Sequence, residues 1–399
     1  MQQQQQEEEE EEEEAEAWLL DSLRLHCFCL LRYNDLHVFE LQDPSRVIEW
    51  TGEKRICVAG YDHTRRNEII QLLLPQRLYV KENQGLCPER DFKVECGGFS
   101  NQPVYSLKHV PETSLLVTSG PREESLQVWG VAPEESDVIK PLGTIPTARG
   151  DQQAWTRIAT TFSKSAWVLH GLTVGSIQVT EIESKKTVFT AASSSTEEVS
   201  TLAFLDPSTV LACTPKGELF LADVRQPRGL LGAAEGACVP PARGEERWCA
   251  AAGPGPQTSG GEKPLLARLS SGGRILLTES RNLASPVRAA ECCVPTAAPR
   301  RAEFLSISFA PLLRDCVAVS GFDGTVHVYD PHDWAPSPQQ ARPLFVHKGH
   351  LFSSEGAAAV DAPLVTTHTW HPGKPRTLLS AASDGSLHVW DWAEPRGAS

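Results

Sequence analysis

From Arg55 onward, apolar and polar residues alternate over short segments, and the segments come in pairs joined by turns rich in Gly, Asp and Ser. Successive side chains of an extended chain point to opposite faces, so this pattern predicts half-buried β-strands rather than helices. The sharpest pair is TLLSAASDGSLHVWDW, Thr377 to Trp392, two apolar runs around an Asp-Gly turn. Asp-Gly between alternating hydrophobics is a strong hairpin signal, because both residues tolerate positive φ. The device recurs as CVAVSGFDGTVHVYD (Cys316 to Asp330), while SLLVTSGPREESLQVWG (Ser114 to Gly130) keeps the tryptophan without the Asp-Gly. With that register set, fainter copies stand out: WVLHGLTVGSIQVTEI (Trp167 to Ile182), TVLACTPKGELFLADV (Thr209 to Val224) and LLARLSSGGRILLTES (Leu265 to Ser280). RICVAGYDHTRRNEIIQLLL (Arg55 to Leu74) is a seventh, with a longer turn.

Each hairpin follows another apolar run that supplies an inner strand; VYSLKHV, TRIATTF, STLAFL, RWCAAA, FLSISFAP and LVTTHTWHP are the clearest. Shorter runs such as VIKPLGTI, TVFTAA, PVRAAECC and RPLFVHK supply outer strands. Seven units of four strands predict an all-β fold, a seven-bladed β-propeller. Between Trp129 and Trp390 the step is about 52 residues, above the roughly 40 to 45 of tight repeats of this kind, so the excess sits in loops. The last unit has too little chain after Trp392 for an outer strand of its own. LHVFEL (Leu36 to Leu41), upstream of the first inner strand around Val47 to Trp50, is expected to fill that place and remove the open sheet edge. Residues 36–395 are therefore read as one propeller closed by an N-terminal strand. In residues 18–35, Leu19, Leu20, Leu23, Cys27, Leu30 and Leu31 fall near helical spacing and predict a short amphipathic helix. Residues 1–17, MQQQQQEEEEEEEEAEA, have no apolar face and are expected to form a disordered acidic tail.

The final unit carries Gly349-His350, Ser380, Asp384 and Trp390-Asp391, and by these residues the chain resembles the WD40-repeat family. The resemblance implies that His350, Ser380, Asp384 and Trp390 form a structural hydrogen-bonded tetrad. Its residue types make physical sense, because a buried indole N–H and a buried hydroxyl each need a partner, and a histidine can join them to a carboxylate. Other units are partial: one keeps Trp129, another keeps Asp323 with Tyr329 in place of Trp, and those around Val168, Leu211 and Leu266 keep none of the four. Longer stretches, including NEIIQLLLPQRLYVKENQGLCPERDFKVECGGFS, LKHVPETSLLVTSG and APLVTTHTWHPGKPRTLLSAASDGSLHVWDW, are similar to one branch of that family. That likeness implies a non-catalytic interaction scaffold in the cytoplasm, an assembly factor that binds the endonuclease heterodimer of the Integrator RNA-processing complex. It also implies, as an alternative, a regulator of microtubule organisation with tubulin or spindle proteins as partners, at spindle poles and the cleavage furrow in mitosis.

Charge and chemistry narrow the picture further. The chain of 399 residues has a formal net charge of −14, much of it from nine glutamates in the first 17 residues. An acidic balance argues against direct binding to nucleic acid or anionic membranes, since neutralising phosphates requires clustered Lys and Arg. No apolar run is long enough to span a bilayer, and the N-terminus lacks a signal-peptide pattern. Eleven scattered cysteines without C-x-x-C spacing read as reduced thiols. GPGPQTSGGEKP (Gly253 to Pro264) fails as a phosphate-cradling loop, because Gly261 and Glu262 occupy the places that need Lys and Ser or Thr. In HTWH, His368 and His371 fall on opposite faces of a strand, and His350 of HKGH already has a structural role, so no metal is expected. No cofactor or catalytic constellation is predicted, and an enzyme with a site at the channel mouth remains only a remote alternative.

Overall fold

The paired apolar runs form seven sheets in a computed structural model that describes residues 33–64, 66–75, 91–131, 136–147, 154–226, 230–232, 246–254, 264–295, 302–354 and 362–393. The Gln/Glu tract and the helix expected up to Arg32 lie outside the described residues. Blades 1 to 7 span residues 45–100, 106–146, 157–190, 201–232, 248–292, 306–347 and 365–392, in chain order around the ring. Within each blade the strands pair antiparallel, and the predicted hairpins supply the second and third strands. This order puts the turns between second and third strands on one face, the upper face. The connections from each outer strand to the next inner strand lie on the same face.

Closure comes from the N-terminal strand Tyr33–Glu40, which pairs antiparallel with Ser386–Trp392, Leu36 opposite Trp390 and Phe39 opposite Leu387. The strand starts at Tyr33, so Tyr33, Asn34 and Asp35 belong to the propeller rather than to the helical region drawn over residues 18–35. The physical reason is burial of Tyr33: its ring sits edge-on to Phe345 at 5.2 Å, and its hydroxyl lies 2.8 Å from His347 Nδ1.

Apolar faces of adjacent blades make the core. Val326, Val328 and Phe345 of blade 6 meet Leu378, Trp390 and Trp392 of blade 7, while Leu379, Leu387 and Val389 meet Ile48, Ile56 and Leu72 of blade 1. Burial of these matched faces is the main stabilising term and locks each blade to both neighbours. Two outer edges are covered by the following blade. Gln340–Ala341 pairs in parallel with Arg288–Cys292, and Val138 bridges in parallel to Gly97. Such cover satisfies edge N–H and C=O groups that would otherwise invite pairing with another chain.

Candidate functional site

The sharpest motif is a buried latch. Trp390 Nε1 donates to Ser380 Oγ at 3.2 Å, and Ser380 Oγ lies 2.8 Å from His350 Nε2. On the other side of the imidazole, Nδ1 lies 2.7 Å from Ser386 Oγ, which donates to Asp384 Oδ1 at 2.6 Å. One proton arrangement satisfies every bond: a neutral imidazole with its proton on Nδ1, accepting at Nε2 from the Ser380 hydroxyl. Burial holds His350 neutral, its pKa pushed down to about 3. The structure thus brings together His350, Ser380 and Trp390, and joins Asp384 to them through Ser386, a fifth member that the motif does not name. The preceding glycine is needed for close approach, since a Cβ on Gly349 would lie 2.5 Å from His347 Cε1 and 2.8 Å from His388 Nδ1.

The faint blades fill the same two positions with other chemistry. In blade 2, Trp129 Nε1 donates to Thr118 Oγ1 at 2.9 Å. In blade 3, His170 Nε2 lies 2.9 Å from Thr180 Oγ1, and in blade 5 Arg268 reaches Thr278 Oγ1 at 3.4 Å while bonding Gly217 O at 2.9 Å. Blade 6 runs its chain along one strand: His327 lies 3.0 Å from Thr325 Oγ1 and 3.2 Å from the Tyr329 hydroxyl, and Asp323 Oδ1 accepts from the Thr325 N–H. Blade 4 has Ala212 and Ala222 there, both buried. Blades 3 and 5 keep neither the Ser nor the Trp of these two positions, yet each keeps a hydrogen bond across the hairpin.

Histidines concentrate beside the latch. Nitrogens of His347, His350 and His388 lie within 4.8 Å of one another, all three residues buried. Their geometry is that of a hydrogen-bonded stack: His350 and His388 rings lie 3.8 Å apart and 10° from parallel, and His347 Nε2 lies 3.1 Å from His388 Nδ1. His388 Nε2 alone among their six nitrogens has no partner, and converging three nitrogens on an ion would break bonds that the latch uses. His368 sits between Ser308 Oγ and Ser320 Oγ of blade 6, 2.7 Å from each, while the His371 ring packs at a tilt against Trp50 of blade 1, centroids 4.9 Å apart. These two therefore face opposite neighbours.

A second concentration of polar groups opens on the upper face, at the mouth of the central channel. Its cavity, about 1180 Å³, is lined by His63, Arg122, Trp155, Arg157, Glu198, Arg247, Glu303 and residues between them. Inner-strand starts and the turns of blades 1 and 2 deliver these side chains, which is why no single stretch of sequence announces them. Arg46 lies behind the wall, its guanidinium 4.1 Å from the Tyr105 ring centre and 4.5 Å from that of Trp155, bonded to Glu303 at 3.2 Å. Arg157 stacks on Trp155 at 3.6 Å and donates to Val199 O. Arg247 reaches Glu198 at 3.3 Å, and His63 Nε2 lies 2.8 Å from the Tyr105 hydroxyl. Burial, with Cys213 nearby, pushes the Cys249 thiol up to about 12, far from a reactive thiolate. Titratable groups do converge at this mouth, the condition that keeps an enzyme in view. Among the described residues lining it, however, Arg157, Glu198, Arg247 and Glu303 are held in ion pairs and stacks, an arrangement suited to recognition.

A closed ring of seven four-stranded blades with an indole–hydroxyl–imidazole latch defines a WD40-type propeller. The family described as WD domain, G-beta repeat matches residues 342–391, the unit that holds the complete motif. Over nearly its whole length the chain is similar to the Integrator complex assembly factor WDR73 of Xenopus laevis, 48% identical over 380 residues covering 94% of this chain and 98% of that protein. The proteins of the same description from Homo sapiens and Danio rerio are 47% and 42% identical, over 94% and 95% of this chain and 97% of each. The chain belongs to the WDR73 family.

Proposed function

We propose that this protein is a non-catalytic scaffold that assists assembly of the Integrator complex in the cytoplasm by binding its endonuclease heterodimer. The observation that carries this reading is similarity, over 94% and 95% of this chain, to proteins described as Integrator complex assembly factors. The mouth supports it by offering ion pairs and aromatic walls, the features of a recognition surface. The acidic balance of the chain complements the basic cleft that an RNA-cutting partner must have, so the scaffold shields that cleft from RNA during assembly.

Affinity purification of the tagged full-length chain from cytoplasmic extract, followed by mass spectrometry, tests the proposal. Recovery of both Integrator endonuclease subunits, with binding that weakens as salt rises, is the expected result. Recovery of tubulin or spindle proteins without Integrator subunits would replace it with the microtubule reading. Full nuclease activity of the bound heterodimer would remove the shielding role.

A further inference from the structure

The channel mouth is electropositive within an acidic chain. Four guanidiniums gather there, Arg46, Arg122, Arg157 and Arg247, against the carboxylates of Glu198 and Glu303. Glu303 serves Arg46 and Glu198 serves Arg247. Arg157 has no carboxylate within salt-bridge distance among the described residues, and Arg122 stands exposed on the rim in the left-handed region, φ 64°. Burial first, then the neighbouring charges of Arg46 and Arg247, lower the Arg157 pKa to about 9, and Glu198 and Glu303 offset this only in part. Trp155 adds a buried indole N–H with no acceptor and a flat apolar surface beside Arg157.

We propose that this mouth receives an acidic peptide segment of a protein partner, with Arg157 and Arg122 taking its carboxylates and the Tyr105 and Trp155 rings taking an intervening apolar side chain. This deepens the scaffold reading and rests on it. Charge complementarity selects an anion, and the planar guanidinium fork suits a carboxylate. Glu198 and Glu303 in the same wall disfavour a dense polyphosphate, which would meet two like charges, whereas a peptide can place its carboxylates selectively. The chain's own glutamate run is disfavoured by direction. Glu40 pairs with Ser386 next to the upper-face turn at Asp384 and Gly385, so Tyr33, at the other end of that strand, begins on the opposite face.

The probe is a fluorescein-labelled peptide of alternating Glu and Leu, titrated by anisotropy against the full-length protein at low salt. Binding is expected, weakened by about tenfold in Arg122→Glu and in Arg247→Glu, which change exposed side chains and leave the core untouched. Arg157→Gln should abolish it, with an unchanged melting temperature required for that variant to count. Equal binding by wild type and both exposed variants, or equal binding of the matching Lys and Leu peptide, would overturn the proposal. So would displacement by inorganic phosphate beyond its ionic-strength effect, or a tenfold gain on removing residues 1–17, which would make the tail the occupant. Integrator subunits that still co-purify with Arg122→Glu and Arg247→Glu would sink the mouth as the contact while leaving the scaffold standing.

Discussion

At the scale of single residues, Ser380 is the hinge of the latch because its one hydroxyl accepts from Trp390 and donates to His350, with Ser380, His350 and Trp390 all fully buried. Ser380→Ala removes that hydroxyl and leaves an indole N–H and an imidazole nitrogen unpaired, so a loss of about 1 to 3 kcal/mol is expected. Urea denaturation measures it, and an unchanged midpoint would show that the latch is decorative. The four motif residues were legible through the resemblance to the WD40-repeat pattern, which the Gly349-His350, Ser380, Asp384 and Trp390-Asp391 series carries. Ser386 was not legible, since its role depends on His350 arriving from 36 residues away. The substitute pairs in blades 3 and 5 were missed because residue type changed while spacing did not. Ser380 to Trp390, His170 to Thr180 and Arg268 to Thr278 are each ten apart, and that spacing between polar positions is the signal that could have found them.

Among elements, the N-terminal strand bears most on integrity. Its seven register pairs with Ser386–Trp392, the Tyr33–His347 bond and the contact of Phe39 with the blade 7–blade 1 core all vanish together if it is removed. Deleting residues through Leu41 is expected to expose the edge of blade 7 and give an aggregating protein. Light scattering and a thermal melt check this, and a monomer with the parental melting temperature would refute the closure. The place of this strand was legible by counting, because the last unit lacked an outer partner. The strand begins three residues before the run that counting picks out, since nothing local tells Tyr33 that a buried histidine waits 314 positions ahead. The added strand Gln340–Ala341 was likewise invisible: two residues carry no periodicity, and their pairing is set by the neighbouring blade.

For the whole molecule, buried imidazoles make the ring acid-sensitive. Burial lowers the pKa of His170 in blade 3 and of His368 between blades 6 and 7 to about 4, and that of His350 to about 3, from an ordinary value of 6.5. The unfolded chain then binds protons that the folded ring refuses, so their contribution is fully present above about pH 6.5 and is lost as pH falls toward 4. Melting temperature should drop steadily from pH 7 to pH 5, and His170→Gln should flatten the slope; a flat profile in the parent would contradict the burial of these rings. The channel mouth belongs to this scale too. Arg122, Arg157 and Arg247 come from three different blades or connections, and only ring closure sets them around one cavity. By itself the sequence determined the strand alternation, the turn chemistry and the number of blades, because each depends on residues close in the chain or on a repeated register. Only the tertiary structure decided which side chains share the mouth and which substitutes fill the latch positions. Convergence there depends on how seven twisted sheets meet, and no local pattern encodes that.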